Sequence, residues 1–188
     1  MERSFRISRD YRLRELPPVL ARRLQEVLGL PWAPATLGEM VDSRAARPRQ
    51  VSPADLCCQG SRHQVTVGGE TSNTRCVVDA LVLAAAGKEG GLVESLSPLL
   101  GQKVVVRIAP DGVAVVSPPA AVFSYGVARE GGQVYEAFCP YLLAFASDDE
   151  YRRWAEATPE ALTVMLSPEE AVSLARDLAV SLLGGVRE

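Results

Sequence analysis

Apolar and polar positions in the first third of the chain follow a helical period over one segment only. Residues 16 to 29 place Leu20 and Leu24 on one stripe, with two prolines at the start and a glycine at the end. Prolines at the first turn and glycine after the last predict a helix here. Residues 31 to 60 carry scattered prolines and little periodicity, which predicts an irregular connection with a short helix near residues 37 to 41.

Alternating apolar and β-branched positions predict strands in the remainder of the chain. The segments with this pattern are residues 62 to 68, 103 to 108, 112 to 117, 121 to 128, 134 to 137 and 162 to 166. The Pro-Asp-Gly turn at residues 110 to 112 joins two of these segments and is typical of a β-hairpin. Neighbouring strands are therefore expected to pair antiparallel.

Longer apolar or amphipathic stretches predict helices between these strands. They cover residues 76 to 87, 139 to 147, 148 to 157 and 167 to 183. Two of these helices begin at a cysteine and follow a strand, which suggests a weak internal duplication. The predicted fold class is α+β, with a mainly antiparallel sheet built from two similar strand–helix–strand units. Residues 1 to 60 form an N-terminal helical and irregular segment in this interpretation, and residues 61 to 188 form the catalytic domain.

Composition limits the classes of function. The chain has 188 residues, of which 47% are hydrophobic, and a formal net charge of -3. This length suits one main core, and the charge argues against nucleic acid as a partner. Arginines interleaved with apolar residues between Arg3 and Arg14 are interpreted as a solvated first strand or helix rather than a basic arm.

The termini and the apolar runs predict a cytoplasmic protein without a membrane partner. Charges occupy the N-terminal positions where a secretory signal needs an apolar stretch, and Asp79 interrupts the longest apolar run. The four cysteines are then not expected to form structural disulfides in a reducing compartment. Metal binding or catalysis becomes the question for them.

Cys76, Asp79 and Cys139 are the candidates for that chemistry. A cysteine at a helix start lies near free backbone N–H groups, which favours the thiolate. Asp79 shares a helix face with Cys76, and burial would favour its protonated form and make it a proton donor, although the helix dipole opposes this. Ordinary roles stay open at this point, because buried cysteine is common in cores and aspartate is common in first turns.

The wider pattern resembles the organomercurial (alkylmercury) lyase family. The resemblance covers roughly residues 60 to 180 and is carried by residues 76 to 81, 138 to 147 and 150 to 154. It implies an active site of Cys76, Asp79 and Cys139 that cleaves a carbon–mercury bond by protonolysis, giving a hydrocarbon and Hg(II). The two cysteines and Asp79 would hold the Hg(II) product.

The resemblance also implies the partners of the reaction. The substrate is a small organomercurial, and mercury is substrate and product, so no organic cofactor is implied. Low-molecular-weight thiols or a mercuric reductase would accept Hg(II).

Two other functions remain as hypotheses. A soft-metal protein of related fold, binding copper or mercury without lyase activity, would use the same cysteines. A thiol redox protein is disfavoured by the absence of a Cys-x-x-Cys motif. Cys57 and Cys58 are interpreted as loop residues, one buried and one exposed, with transfer of Hg(II) as the alternative. His63 is expected at a strand edge in a polar structural role.

Overall fold

Nine strands and six helices make up the regular structure of the described chain. The structure is a computed structural model and describes residues 1–46 and 51–184. The strands are β1 Arg3–Arg6, β2 His63–Val67, β3 Glu70–Asn73, β4 Gly91–Leu96, β5 Lys103–Ile108, β6 Val113–Ser117, β7 Val122–Ala128, β8 Ala144–Phe145 and β9 Ala161–Leu166. The helices are α1 Pro18–Leu28, α2 Leu37–Ala45, α3 Val77–Ala86, α4 Val134–Phe138, α5 Asp148–Glu156 and α6 Pro168–Leu183.

The strands form two antiparallel sheets. The larger has the order β1-β6-β5-β4-β2-β3, and the smaller has the order β8-β7-β9. Every strand pair in both sheets is antiparallel. The predicted mixture of helices with antiparallel sheet is therefore confirmed.

Helix α3 lies at the centre of the packing. It contacts α6 on one side and strands β2 and β4 on the other. Its sequence is apolar around most of its circumference, as expected for a helix enclosed by neighbours, and Val77, Leu81 and Ala84 are fully buried. A side chain at Gly91, the first residue of β4, would meet the Ala84 backbone at 2.7 Å. Glycine thus permits the close approach of β4 to α3.

The N-terminal segment joins the same core. Strand β1 pairs with β6 at the edge of the larger sheet, which makes the arginine-rich start a mostly exposed strand. Helix α1 forms as predicted, and α2 extends further than the expected short helix. Leu24 and Met40 from these helices belong to the main buried cluster. The division into segments 1 to 60 and 61 to 188 stays a prediction.

The second cysteine segment differs from its prediction. The expected strand at residues 134 to 137 is helix α4, where Gln133 and Glu136 form a capping box. This reciprocal bonding satisfies N–H groups that the start of a helix leaves free. The alternation of apolar and polar positions predicted a strand here because it gives no sign of such a cap. The second unit therefore lacks the element order of the first.

The helix expected at residues 139 to 147 is also absent. Cys139–Tyr141 form one 3₁₀ turn, and the following Ala144–Phe145 segment pairs with Val122 and Phe123 of β7. Pairing with another strand overrides the apolar run that predicted a helix. The three later elements, α5, β9 and α6, match their predictions within one or two residues.

Strands β3 and β4 were not predicted. Strand β3 is polar and largely exposed, and it forms a hairpin with β2 through Gly68 and Gly69. Strand β4 follows a glycine-rich turn and inserts between β2 and β5.

Within residues 1–46 and 51–184, the chain has no helix long and apolar enough to span a membrane.

Candidate active site

Cys76 is the residue that caps the N-terminus of α3. Its Sγ accepts a hydrogen bond from the backbone N–H of Asp79 at 3.4 Å, as the side chain of a cap residue does. The Thr74 hydroxyl donates to the Cys76 carbonyl at 2.9 Å and holds the preceding turn. The Cys76 side chain is thereby fixed at the start of the central helix and is fully buried.

Cys139 reaches the same place from a different element. It is the C-terminal cap of α4 and the first residue of the 3₁₀ turn. The backbone N–H of Val77 donates to the carbonyl of Leu142 at 3.2 Å, which joins this turn directly to the first turn of α3. The Ser124 hydroxyl of β7 donates to the Tyr141 carbonyl at 2.8 Å and so holds the turn against β7.

The three predicted residues come together. The Sγ atoms of Cys76 and Cys139 and a carboxylate oxygen of Asp79 all lie within 4.8 Å of one another. Both cysteines are free thiols, Cys76 buried and Cys139 half-buried. One soft metal atom placed among these groups would reach both sulfurs.

The electrostatic setting of Cys76 corrects one expectation. Burial raises the pKa of the Cys76 thiol well above its ordinary value, and the neighbouring Cys139 and the charge of Asp79 raise it further. The hydrogen bond from the Asp79 N–H acts in the opposite direction and is the weaker effect. Cys76 is therefore a thiol at neutral pH, and the predicted thiolate is wrong because burial outweighs the helix N-terminus. Cys139 begins only a single 3₁₀ turn, which does not offer the free N–H groups of a helix start such as that of α3.

The Asp79 carboxyl group has a pKa close to neutral pH. Burial raises the pKa of its carboxyl group to about 6, while interactions with Cys76, Arg75 and Arg44 hold it below the value that burial alone would give. The buried Oδ2 atom has no hydrogen-bond partner within the described residues. A carboxyl group in this state can take up and release a proton near pH 7.

Two cavities meet at Cys139. The inner cavity, of about 130 Å³, is bounded by Cys76, Asp79 and Cys139 and by mainly apolar side chains. The outer cavity is an open depression of about 940 Å³ that also reaches Cys139. Cys139 and Tyr135 line both. Cys139 thus stands between the enclosed site and solvent.

Sequence reasoning missed two residues of the inner cavity. Arg44 comes from the last turn of α2, and Tyr125 comes from the middle of β7. The Tyr125 hydroxyl contacts the Met40 sulfur at 3.6 Å, and burial raises the pKa of this phenol to about 12. Neither residue stands in a motif, so only tertiary packing identifies them.

The remaining candidates lie outside the cluster. Cys57 and Cys58 are both half-buried, so the expectation of one buried and one exposed is wrong. Cys57 follows a 3₁₀ turn and its Sγ donates to the Pro53 carbonyl at 3.4 Å. His63 begins β2, is buried, and bonds through Nδ1 to the Ser95 hydroxyl at 2.7 Å, which agrees with a polar structural role.

Two thiols and a protonatable carboxyl group around a small apolar cavity define a site for chemistry on a thiophilic metal. The family described as MerB, alkylmercury lyase, matches residues 56–180 of this sequence. The chain therefore belongs to the alkylmercury lyase family.

Curated relatives carry the same description. The chain is 31% identical over 136 residues to an alkylmercury lyase of Streptomyces lividans, covering 72% of this chain and 62% of that protein. It is 27% identical over 114 residues to an alkylmercury lyase of Bacillus cereus, covering 61% of this chain and 51% of that protein. The chain thus spans between half and two thirds of the length of these relatives.

A solved structure supports the fold. The mercury-bound form of MerB2 superposes with a TM-score of 0.52 at 21% sequence identity, covering 64% of this chain and 58% of that chain. This likeness indicates a shared architecture of helices and antiparallel sheet.

Proposed function

We propose that this protein is an organomercurial lyase that cleaves the carbon–mercury bond by protonolysis. The observation that carries the proposal is the convergence of two free thiols and one carboxylate within 4.8 Å in a buried pocket. Membership of the alkylmercury lyase family supports the same reaction. The proposed roles are metal binding by Cys76 and Cys139 and proton transfer by Asp79.

The charge states suggest the order of proton transfers. Cys76 begins as a thiol, and Asp79 is mainly a carboxylate at neutral pH because its pKa is about 6. When mercury approaches Cys76, Asp79 accepts the thiol proton and the sulfur forms a bond to the metal. The proton is then stored next to the reacting carbon. Asp79 needs no proton from solvent for the next step.

The cleavage step follows from this arrangement. The substrate enters as R–Hg–X, where X is a displaceable thiolate. Cys139 replaces X, and the Cys139 proton leaves with X as HX. Two sulfurs then donate electron density to mercury, and Asp79 passes its proton to the carbon as the carbon–mercury bond breaks. The products are R–H and Hg(II) held by Cys76 and Cys139, and Asp79 returns to its starting state.

The inner cavity favours a small organic group. Its volume of about 130 Å³ and its lining of Val78, Val82, Phe138 and Leu178 suit an alkyl or a single aryl group. Apolar side chains exclude water from the bond to be broken, and so keep the proton of Asp79 directed at carbon. Free thiols or a mercuric reductase would remove Hg(II), and a reducing cytoplasm would keep the cysteines available.

The test is product analysis with a panel of organomercurials. Methyl-, ethyl- and phenylmercury are incubated with the protein and excess thiol, and hydrocarbon is measured by gas chromatography. We expect stoichiometric hydrocarbon from the wild type and none above background from Cys76→Ser or Cys139→Ser. Cys57→Ser is the matched control, because this thiol lies outside the cluster, and it should retain activity. Full activity in either cluster variant would exclude the mechanism.

The same experiment separates the soft-metal alternative. Tight binding of Cu(I) or Hg(II) by the wild type without hydrocarbon from any substrate would favour a metal-binding protein without lyase activity. The position of Asp79 argues for the lyase, because a soft ion held by two sulfurs needs no carboxyl group whose pKa is raised toward neutrality.

A further inference from the structure

The open depression outside Cys139 has the charge and access expected of a second binding site. It is lined by Arg62 and Arg75 and by apolar surface from Pro98, Leu143 and Trp154. Glu136 is the one carboxylate that the depression includes among the described residues, and its side chain accepts from the Gln133 backbone N–H at 3.3 Å. Two cations against one engaged anion leave this surface positive in a chain of net charge -3.

Arg75 is held in a fixed position at this surface. Its guanidinium carbon lies 4.9 Å from the centroid of the Tyr135 ring, and its Nε donates to the Asp55 carbonyl at 3.1 Å. These contacts leave the two terminal nitrogens of the guanidinium group for a ligand. The Asp55 carboxylate also interacts with Arg75, but it is bonded to the Ser52 hydroxyl and backbone N–H.

Arg62 is the freer of the two arginines. It lies beside the start of β2 and is exposed. Its backbone carbonyl accepts from Leu96, whereas its guanidinium group makes no hydrogen bond or ion pair within residues 1–46 and 51–184. An unengaged guanidinium that lines the same depression as an anchored one is suited to a carboxylate ligand.

The position of Cys139 connects this surface to the reaction. Cys139 lines both cavities, whereas Cys76 and Asp79 line only the inner one. A thiol that removes Hg(II) must attack the metal from a side that solvent reaches. Cys139 is half-buried and Cys76 is fully buried, so the Cys139 side is the accessible one.

We propose that the depression lined by Arg62, Arg75 and Cys139 is the docking site for the acceptor thiol, and that it selects small thiols that carry carboxylate groups. This inference rests on the proposed function. The arginines bind the carboxylates, and the sulfur of the ligand faces mercury across Cys139. The selection concerns the removal of product rather than cleavage of the substrate.

The exchange balances as two thiol transfers. In the first, the bond from mercury to the Cys139 sulfur breaks, a bond to the acceptor sulfur forms, and the acceptor's proton passes to Cys139. In the second, another acceptor thiol replaces Cys76 and its proton returns to that sulfur. Hg(II) leaves as a complex with two acceptor thiolates, both cysteines are thiols again, and no oxidation or reduction occurs.

The experiment isolates release from cleavage. The protein is loaded with one equivalent of Hg(II) and mixed in a stopped-flow instrument with mercaptosuccinate, 2-mercaptoethanol or cysteamine. These are an anionic, a neutral and a cationic thiol, and they are compared at equal thiolate concentration. Recovery of the protein's aromatic fluorescence, which bound mercury quenches, gives the rate. We expect release about tenfold faster with mercaptosuccinate than with 2-mercaptoethanol, and slowest with cysteamine.

Variants and salt test the assignment of the arginines. Arg62→Gln should reduce the advantage of mercaptosuccinate by about three- to fivefold, and adding Arg75→Gln should abolish it. Arg62→Gln is the primary variant, because Arg75 also lowers the pKa of Asp79. Arg107→Gln removes an exposed arginine of β5 outside the depression and is the matched control. High salt should weaken the preference in the wild type, which requires no variant to fold.

The outcomes are distinct from those of the lyase test. Equal rates for the three thiols in the wild type would overturn this proposal, and so would a preference unchanged by Arg62→Gln and by salt. Release only to a protein dithiol, with none to small thiols, would also overturn it and would assign the depression to a protein partner. Because the protein is loaded with Hg(II) directly, failure to form hydrocarbon tests the proposed lyase function and leaves this measurement intact.

Discussion

The backbone N–H of Asp79 donates to the Sγ of Cys76 at 3.4 Å, while the Asp79 carboxyl group lies against the backbone N–H of Cys76 and has its pKa lowered by that contact. The first contact is that of an N-terminal helix cap, with cysteine in place of the usual serine or threonine. One local turn thus caps the central helix and sets a thiol beside a proton acceptor. The spacing required for the chemistry is also the spacing required for the cap.

Replacement of Asp79 by asparagine should separate metal binding from cleavage. Asparagine has nearly the same shape, so Cys139 should still bind methylmercury, but no group remains to take the Cys76 proton and pass it to carbon. We expect hydrocarbon formation in a single turnover to fall at least about 100-fold, the range found for loss of a general acid. Mercury retention after gel filtration should be unchanged. A variant that cleaves at the wild-type rate would contradict the proposed role of Asp79.

The same substitution should raise the stability of the fold at alkaline pH. The folded pKa of Asp79, about 6, lies above its ordinary value of 3.8. The folded state therefore binds the proton more tightly, and stability is lost as pH rises from about 4 to about 6. This cost is up to about 3 kcal/mol above pH 6, and asparagine avoids it.

Urea unfolding at several pH values measures this effect. The free energy of unfolding of Asp79→Asn should exceed that of the wild type at about pH 8, and the difference should shrink toward about pH 4. Asp149→Asn, at an exposed position in the first turn of α5, is the control. A difference that does not change with pH would show that Asp79 is not held against its charged form.

Arg44 should contribute to the pH at which the site becomes active. Its positive charge is one of the effects that hold down the pKa of Asp79. Since Asp79 must be ionised to accept the Cys76 proton, kcat/KM for a small organomercurial should rise as pH increases through about 6. Arg44→Gln should move this rise to higher pH without changing its slope.

Initial rates of hydrocarbon release across the pH range give the midpoint of that rise. Arg22→Gln, on the exposed face of α1, serves as control and should leave the midpoint in place. A midpoint that Arg44→Gln moves to lower pH would mean that the titrating group is not an acid stabilised by this cation.

The part of the site that lies within one helical turn could be predicted from the sequence. The part that is assembled by tertiary packing could not. Cys76 and Asp79 are three residues apart in one helical turn, so their proximity follows from helix geometry. The structure brings Cys139 close to both residues. The helix predicted to begin at Cys139 is wrong, because β8 forms there by pairing with β7. The same limit applies to charge. The sequence shows a thiol at a helix start, whereas burial in the folded chain raises the pKa of Cys76.

His63 should produce a dependence of stability on pH opposite to that of Asp79. Burial lowers the pKa of His63 to about 4 from the ordinary value of 6.5. The folded state keeps the imidazole neutral, so its contribution to stability is complete above about pH 6.5 and is lost as pH falls toward 4, by up to about 3 kcal/mol.

Across the window from about pH 4 to about 6, Asp79 therefore stabilises the fold as pH falls while His63 destabilises it. The two effects therefore oppose each other in the wild type. His63→Asn retains a polar atom for Ser95 but no longer titrates. Urea unfolding should show that this variant gains stability relative to the wild type as pH falls from about 6.5 to about 4. A constant difference would mean that protonation of His63 is not opposed by its burial.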